Sequence, residues 1–355
     1  MRQKKFFFLI ILFAIFFAYI TNIEQIPKNI TLFQNEKYQI EYLKGIEIDG
    51  ENIEEKENFL NKLITVNTDI IGDIELNLSA LGGFFNKTIT VSVVPEVQVI
   101  PGGDCIGVKV YSKGVLIVGE SKVQLEDGSW STPYEAGTFE AGDLLLKIDD
   151  YEIEEAEEIS KIINNIGSKK VILTCQRDGK IFNAEVTPLK CLEDGKYKIG
   201  LWVRDGAMGV GTLTFYSPDY SNYAALGHGI SDEDSKSLIE LGTGEIYGAN
   251  VFSVTKGRSE SPGEIRGILA EEDKKGTIEK NSNAGIIGSL DVLSAEMSTR
   301  EKISVASKNE VKVGPAKIRC TIDNSQEIKE YDVEIQKVSS SNFFETKGMI
   351  IKVKD

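Results

Sequence analysis

The chain has a single histidine, His228, in 355 residues. Clusters of imidazole ligands are thereby excluded, and any imidazole acid–base chemistry has to happen at that one position. Four cysteines (Cys105, Cys175, Cys191, Cys320) lie far apart with no Cys-x-x-Cys, which argues against a zinc site and against a dense disulfide scaffold. No phosphate-loop signature occurs, and no motif asks for a cofactor. Basic residues are also short, 40 Lys and Arg against 55 Asp and Glu, for a net charge of −15. So acidic a chain does not hold a polyanion by bulk electrostatics, so nucleic acid is not an expected partner.

What is present can fill cores. Apolar residues make up 41% and charged residues 27%, which rules out wholesale disorder. The length is that of two or three domains.

Arg2, Lys4 and Lys5 precede fifteen uninterrupted apolar residues, 6–20, and Thr21-Asn22 follow. A basic flank before an apolar run is the pattern of an export signal, although no clear small-x-small cleavage site comes after it. Fifteen residues fall short of the roughly 20 that cross a bilayer comfortably, a mismatch that tilt, thinning and snorkelling lysines absorb. An uncleaved membrane anchor over residues 1–22 is therefore the alternative to a removed signal, with a buried core helix as a third reading. In the first two, everything after Asn22 lies outside the cytoplasm.

Residues 23–97 read as a β-rich spacer. Tyr38-Gln39-Ile40-Glu41-Tyr42 and Thr88-Ile89-Thr90-Val91-Ser92-Val93-Val94 carry strand patterns. Residues 54–63 are the one expected helix there, with Phe59, Leu60 and Leu63 sharing a face. Pro95 and Pro101-Gly102-Gly103 mark the boundary to the next unit.

Residues 98–190 run in a definite order. A glycine-rich loop, Gly102-Gly103-Asp104-Cys105-Ile106-Gly107-Val108, leads into a strand, and a second apolar strand lies between Gly114 and Gly119. Ala141-Gly142-Asp143-Leu144-Leu145-Leu146-Lys147-Ile148 follows, then a helix with Ala156, Ile159, Ile162 and Ile163 at helical spacing. Two strands joined by the Asp178-Gly179 turn close the unit. That order, and the small-Gly-Asp-x-Leu-x-x-Ile element at Ala141, resemble a PDZ domain of the bacterial protease type. The resemblance implies that a peptide adds as a strand beside Ile106, Gly107 and Val108, with Gly107 at positive φ and Ile159 and Ile162 near the groove. The alternative for the isoleucines is plain core. The acidic run 149–158 suits a solvated helix start better than a metal site.

Residues 191–355 carry the sharpest motif. In Ala225-Leu226-Gly227-His228-Gly229-Ile230-Ser231-Asp232 the histidine stands between two glycines at the end of an apolar strand. Flanking glycines strip steric cover from the imidazole, which suits a group that meets a substrate and shuttles a proton. Ser231 and Asp232 read as cap residues for a short turn or helix over 233–241. By spacing alone, a lone histidine is structural more often than catalytic. Short strands with glycine-rich turns continue to the end, favouring a barrel or sandwich.

The segments 199–216, 225–232 and 346–355 resemble the stage IV sporulation protein B family, PDZ-containing serine peptidases of endospore-forming bacteria. The resemblance runs from the apolar N-terminal segment to the last residue. It implies a mostly β fold with some α: a β-rich spacer, a PDZ domain and an incomplete chymotrypsin-like β-barrel peptidase domain. It also implies a general base at His228 and an orienting aspartate at Asp355. Its implied partners are a membrane-bound regulator of an intramembrane metalloprotease as substrate, and peptide C-termini or the chain's own N-terminal region at the PDZ unit. The expected location is the space between the forespore and mother-cell membranes.

One departure is large. The family's nucleophile sits in a Gly-x-Ser-Gly-Ser-Pro stretch, and none occurs in these residues. Gly288-Ser289 and Ser339-Ser340-Ser341 are superficial substitutes without the flanking glycines. A base and its orienter cannot start acyl transfer alone, so the expectation is a chain incomplete for catalysis. Cys320 alternates with Ile318 and Ile322 and reads as a buried structural thiol. The rival expectation is a non-catalytic, PDZ-bearing peptide-binding adaptor on the same scaffold.

Overall fold

The computed structural model describes residues 2–57, 59, 61–258, 261, 263–291, 300–323, 325, 327–338 and 348–354. The fold is mostly β, with two helices and twenty-six strands among the described residues. It divides into two compact units, residues 1–98 with 303–314, and residues 99–302 with 315–355.

The first unit opens on helix α1 (Arg2–Gln25). Among the described residues, no helix is long and apolar enough to cross a membrane. Phe6, Phe7, Phe13 and Phe17 of α1 are exposed, whereas Ile23 and Ile26 at its end are buried. Lys87 Nζ donates to the carbonyls of Ile23 and Ile26 at 2.8 and 2.7 Å, a cation satisfying the free carbonyls of a helix C-terminus. Behind it, strands 29–33, 85–94, 72–80 and 46–50 form one sheet, and 38–43, 61–66 and 53–57 form another. Alternation is strict where the sequence alternates: Ile74, Leu76, Leu78 and Ala80 point inward and join Leu32, Ile46, Ile64, Ile89 and Val91 in the core. The helix expected over 54–63 is instead a hairpin, Ile53–Glu57 paired antiparallel with Asn61–Val66. Phe59 is 93% exposed at its tip, and Leu60 lies outside the described residues. A three-residue apolar set fits one helical face and a strand equally well, and pairing with Tyr38–Leu43 decides it.

The second unit is organised by one long strand. β1 (Cys105–Glu120) covers 16 residues and serves two sheets. Its second half pairs with β2 (Leu144–Ile148), and the sheet continues through β3 (Val171–Arg177) and β4 (Lys180–Val186). The β3–β4 hairpin turns on Asp178 and Gly179, both at positive φ, as the Asp-Gly pair requires. Helix α2 (Ala156–Ile166) lies over this sheet, burying Ile159 and Ile163 against Leu145, Leu173 and Val186. Glu158 at its third position accepts the backbone N–H groups of Glu154 and Glu155, which hold its carboxyl below the ordinary range.

The first half of β1 belongs to a barrel. β5 (Leu201–Tyr216), β6 (Asn222–Ala225), β7 (Leu241–Thr255), β8 (Glu264–Ser282) and β9 (Gly285–Leu290) join it in the order β1–β7–β8–β9–β6–β5. β5 then pairs back onto β1 and closes six antiparallel strands. Ile106, Val108, Val110, Leu213, Tyr216, Tyr223, Ile246, Ile278 and Ile286 form its interior. Residues 98–190 and 191–355, read from sequence as separate, therefore share a strand. A smaller sheet, β10 (Gly314–Cys320), β11 (Lys329–Val338) and β12 (Met349–Val353), completes the unit. Arg300 grips Asp104 with two bonds of 2.7 Å and Tyr216 adds a third. Burial alone would push the Asp104 carboxyl up, but Arg300 outweighs it and holds it down.

Candidate active site

His228 stands where the chain leaves β6. Leu226 and Gly227 both take positive φ, 74° and 77°, which turns the chain out of the barrel wall and presents the next side chain to solvent. The His228 side chain is exposed. Its Nδ1 lies 3.0 Å from the Gly229 carbonyl oxygen. A carbonyl only accepts, so this contact has Nδ1 as the donor and leaves Nε2 as the nitrogen free of it, the one a general base would use.

The residues after the imidazole are held firmly. A Cβ on Gly229 would come within 2.2 Å of the Leu238 side chain and 2.7 Å of the Ser282 carbonyl oxygen, so only glycine fits there. Asn281 Oδ1 accepts from Ile230 N, and its Nδ2 donates to the carbonyls of Ile230 and Ile239. Asp232, 3% exposed, accepts the N–H groups of Asp234 and Ser235 and shapes a turn over 233–235 rather than a helix. Arg204 Nη1 donates to Asp232 Oδ2 at 2.9 Å, and its Nη2 reaches Asp234 at 3.1 Å. Burial would push the Asp232 carboxyl up, but the Ser235 and Asp234 donors and Arg204 hold it below the ordinary range.

Opposite His228 the wall is β5. Gly206, Ala207, Met208, Gly209, Val210 and Gly211 line a cavity of about 660 Å³ with His228 and residues 229–233. This stretch of β5 pairs with β1 on one side, and β6 joins its other side only from Leu213 onward. A strand whose second edge is unpaired among the described residues, with three glycines, lets another backbone approach closely. Thr212 and Ser231 are the lining hydroxyls, and neither bonds the imidazole among the described contacts.

A second cavity, about 460 Å³, lies between α2 and residues 198–203. Ala156, Ile159, Ser160 and Ile163 line it from the helix, with Trp130 and Trp202 at its rim. Leu201, Trp202 and Val203 pair with Glu120, Gly119 and Ile117 of β1 on one side only, leaving the helix-facing edge without a strand among the described residues. Gly200, φ 65°, takes the bend before that edge.

The site residues read from sequence fall unevenly on this geometry. His228 is at the mouth of the first cavity. Asp355 lies outside the described residues, as do Ser339, Ser340 and Ser341. Ser289 sits in the β9 ladder with its hydroxyl against Thr277. The expected peptide-pairing edge at Ile106, Gly107 and Val108 is corrected: these residues pair with Gly211, Val210 and Gly209 on one side and Gly248, Tyr247 and Ile246 on the other. No edge is open there. Gly107 is not at positive φ either; a Cβ would meet Leu269 at 2.3 Å, and that close approach is the reason for glycine. The open edge beside α2 belongs to residues 201–203 instead. Ile159 lines that groove with Ile163 beside it, and both are buried in the core, whereas Ile162 is only partly buried and does not line the groove. Burial pushes the Cys175 thiol up to about 12 and the Cys320 thiol up as well, although Cys320 is only partly buried rather than fully buried as its alternation suggests. Arg204 and Asn281 gave no local signal, since their partners lie 28 and 51 residues away.

Residues 195–355 match a family model described as SpoIVB peptidase S55. That stretch holds His228, β5 to β9 and the smaller sheet, but not β1, the barrel strand between β5 and β7. No curated protein matches the chain. The matched stretch is thus similar to a peptidase family, whose substrates are proteins.

Proposed function

We propose that the second unit is the core of an exported serine endopeptidase of sporulation signalling in which His228 is the general base. The observation that carries the reading is the imidazole itself. It is exposed, its Nδ1 donates to the Gly229 carbonyl, and it faces a glycine-walled cavity beside a strand edge unpaired among the described residues. Such a cavity suits a polypeptide main chain, and Nε2 is the atom that would take a serine proton. On this reading Asp355 orients the imidazole by replacing the Gly229 carbonyl as the acceptor of the Nδ1 proton. The nucleophile that the family resemblance implies lies in a Gly-x-Ser-Gly-Ser-Pro stretch, and none occurs among these residues.

The α2 groove is the peptide-docking element of the same reading. The order strand, strand, helix, strand, strand and the open edge at 201–203 support a PDZ-type unit that takes an extended peptide by strand addition. The basic flank and apolar run of α1 support export or anchoring, with the peptidase between the forespore and mother-cell membranes. Its substrates in this proposal are its own N-terminal region and a membrane-bound regulator of an intramembrane metalloprotease.

A second reading, a peptide-binding adaptor without catalysis, is favoured by one observation: neither lining hydroxyl engages the imidazole. Expressing the chain together with whatever its reading frame encodes after Asp355 separates the two. Self-cleavage that disappears in His228→Ala supports the peptidase. No cleavage in either form supports the adaptor, and equal cleavage in both removes His228 from the mechanism.

A further inference from the structure

On β5, Val203 lines the second cavity, Arg204 lines the first, and Asp205 follows. Arg204 turns one way, to Asp232 and Asp234 on the segment that follows His228. Asp205 turns the other way, its Oδ1 accepting the backbone N–H of Ala156 at the start of α2, the helix that forms one wall of the groove. The register there is irregular: Arg204 lies opposite Leu116 and Gly206 opposite Tyr111, so residues 112–115 of β1 form a bulge across from Asp205, with Ser112 paired to Leu241 of β7 and Val115 to Leu145 of β2. Ser112, a buried residue, donates its hydroxyl to the Gly114 carbonyl at 2.6 Å, with the Asp205 carbonyl at 3.1 Å sharing the same hydrogen. At its other end α2 is tied independently, Tyr197 N donating to Asn164 Oδ1.

A peptide entering between α2 and residues 201–203 has to adjust the spacing of those two walls. The start of α2 is held by Asp205, beside the Ile153 N–H to Leu146 carbonyl bond and the packing of Ile153 and Ile159. Any movement there is handed to the next residue, Arg204, whose fork is seated on a buried carboxylate four residues past His228. Two polar links from adjacent residues of β5, at the register break, form a contiguous path for coupling. A second bridge runs in parallel, since Gln176 Nε2 of β3 donates to Glu240 Oε2 beyond the same turn.

We infer that Arg204 is a positioning residue for His228 and that the Arg204-Asp205 pair makes the imidazole respond to what occupies the α2 groove. The inference rests on the peptidase reading for its purpose but not for its test.

The chain supplies its own reporters. His228 is the one histidine, so its ring Cε1–H gives a single, unambiguous NMR line in the untagged protein. The two tryptophans, Trp130 and Trp202, both line the groove, and their indole lines report it. Asp205→Ala and Asp205→Asn lose the same charge, but only the alanine loses the acceptor for Ala156. The expected result is a displaced His228 line in Asp205→Ala, returned close to the wild-type position in Asp205→Asn, although neither change touches the histidine segment. Equal lines in both variants, with displaced indoles showing that the groove has changed, would overturn the coupling. Arg204→Lys keeps the charge and loses the fork, so it reads the reverse direction in a protein with its net charge unchanged. It should displace the Trp130 indole line, and an unmoved indole there overturns the coupling even if Asp205→Ala does not fold. Displaced lines without cleavage in any form would leave the coupling standing and sink the peptidase reading alone.

Discussion

Gly229 and Leu238 share a space that holds no further carbon: a Cβ on the glycine would lie 2.2 Å from Leu238 Cδ1. The Ser282 carbonyl on the same side, at 2.7 Å, cannot move without breaking its strand. Gly229→Ala should therefore push the histidine segment off the barrel, at a cost of about 1–3 kcal/mol. Leu238→Ala in the same chain should recover part of that loss only if Leu238 is the main obstacle. Thermal unfolding of the single and double variants measures both.

Asn281 closes three hydrogen bonds onto Ile230 and Ile239. Truncating it to alanine leaves partly buried backbone groups unpaired and should cost roughly 1–3 kcal/mol. Because it touches the segment carrying His228 and does not line the cavity, it should lower kcat more than it raises KM. A variant with KM alone changed would refute the positioning role.

Asp232 makes a pH dependence with a definite sign. Its folded carboxyl is held below the ordinary range, so the unfolded chain binds the proton more readily. Its stabilisation is complete above the unfolded value of about 4 and is lost as pH falls below that, through the folded value. The stability gap between wild type and Asp232→Asn should be constant from neutral pH down to that point and shrink below it. Urea melts across that range test it, and a gap that widens on acidification would contradict the argument.

How much of this was legible in the sequence depends on how far each partner lies along the chain. The turn at Gly227 and Gly229 could be read locally, because glycines around a lone imidazole have a steric meaning without any fold. The Asp178-Gly179 hairpin was equally local, and Gly314–Cys320 followed its alternation. β1 could not be read that way. Its pattern is that of one strand, but its partners are 201–212 and 241–248, about a hundred residues on, and no periodicity reveals that both of its edges are taken. For the same reason the peptide edge was sought at Gly107, where the glycine answers to Leu269, and not at residues 201–203. Arg204 was in plain view within the motif-bearing strand, but its carboxylate is visible only once the chain folds back.

The shared strand carries a consequence for fragments. Residues 191–355 expressed alone lack β1, so β5 and β7 would each expose an unpaired edge and the barrel interior would open. That fragment should show poor NMR dispersion and no cooperative melt, while residues 99–355 should show both. A cooperative melt for 191–355 would mean that β1 is dispensable to the barrel.

The central claim is that His228 is the base that activates a serine. A fluorophosphonate reacts only with an activated serine, so labelling measures that step without knowledge of the substrate. In the chain carried to the end of its reading frame, wild type should label and His228→Ala should fall by a factor on the order of 10⁴ to 10⁶. Equal labelling of the two proteins would contradict the account.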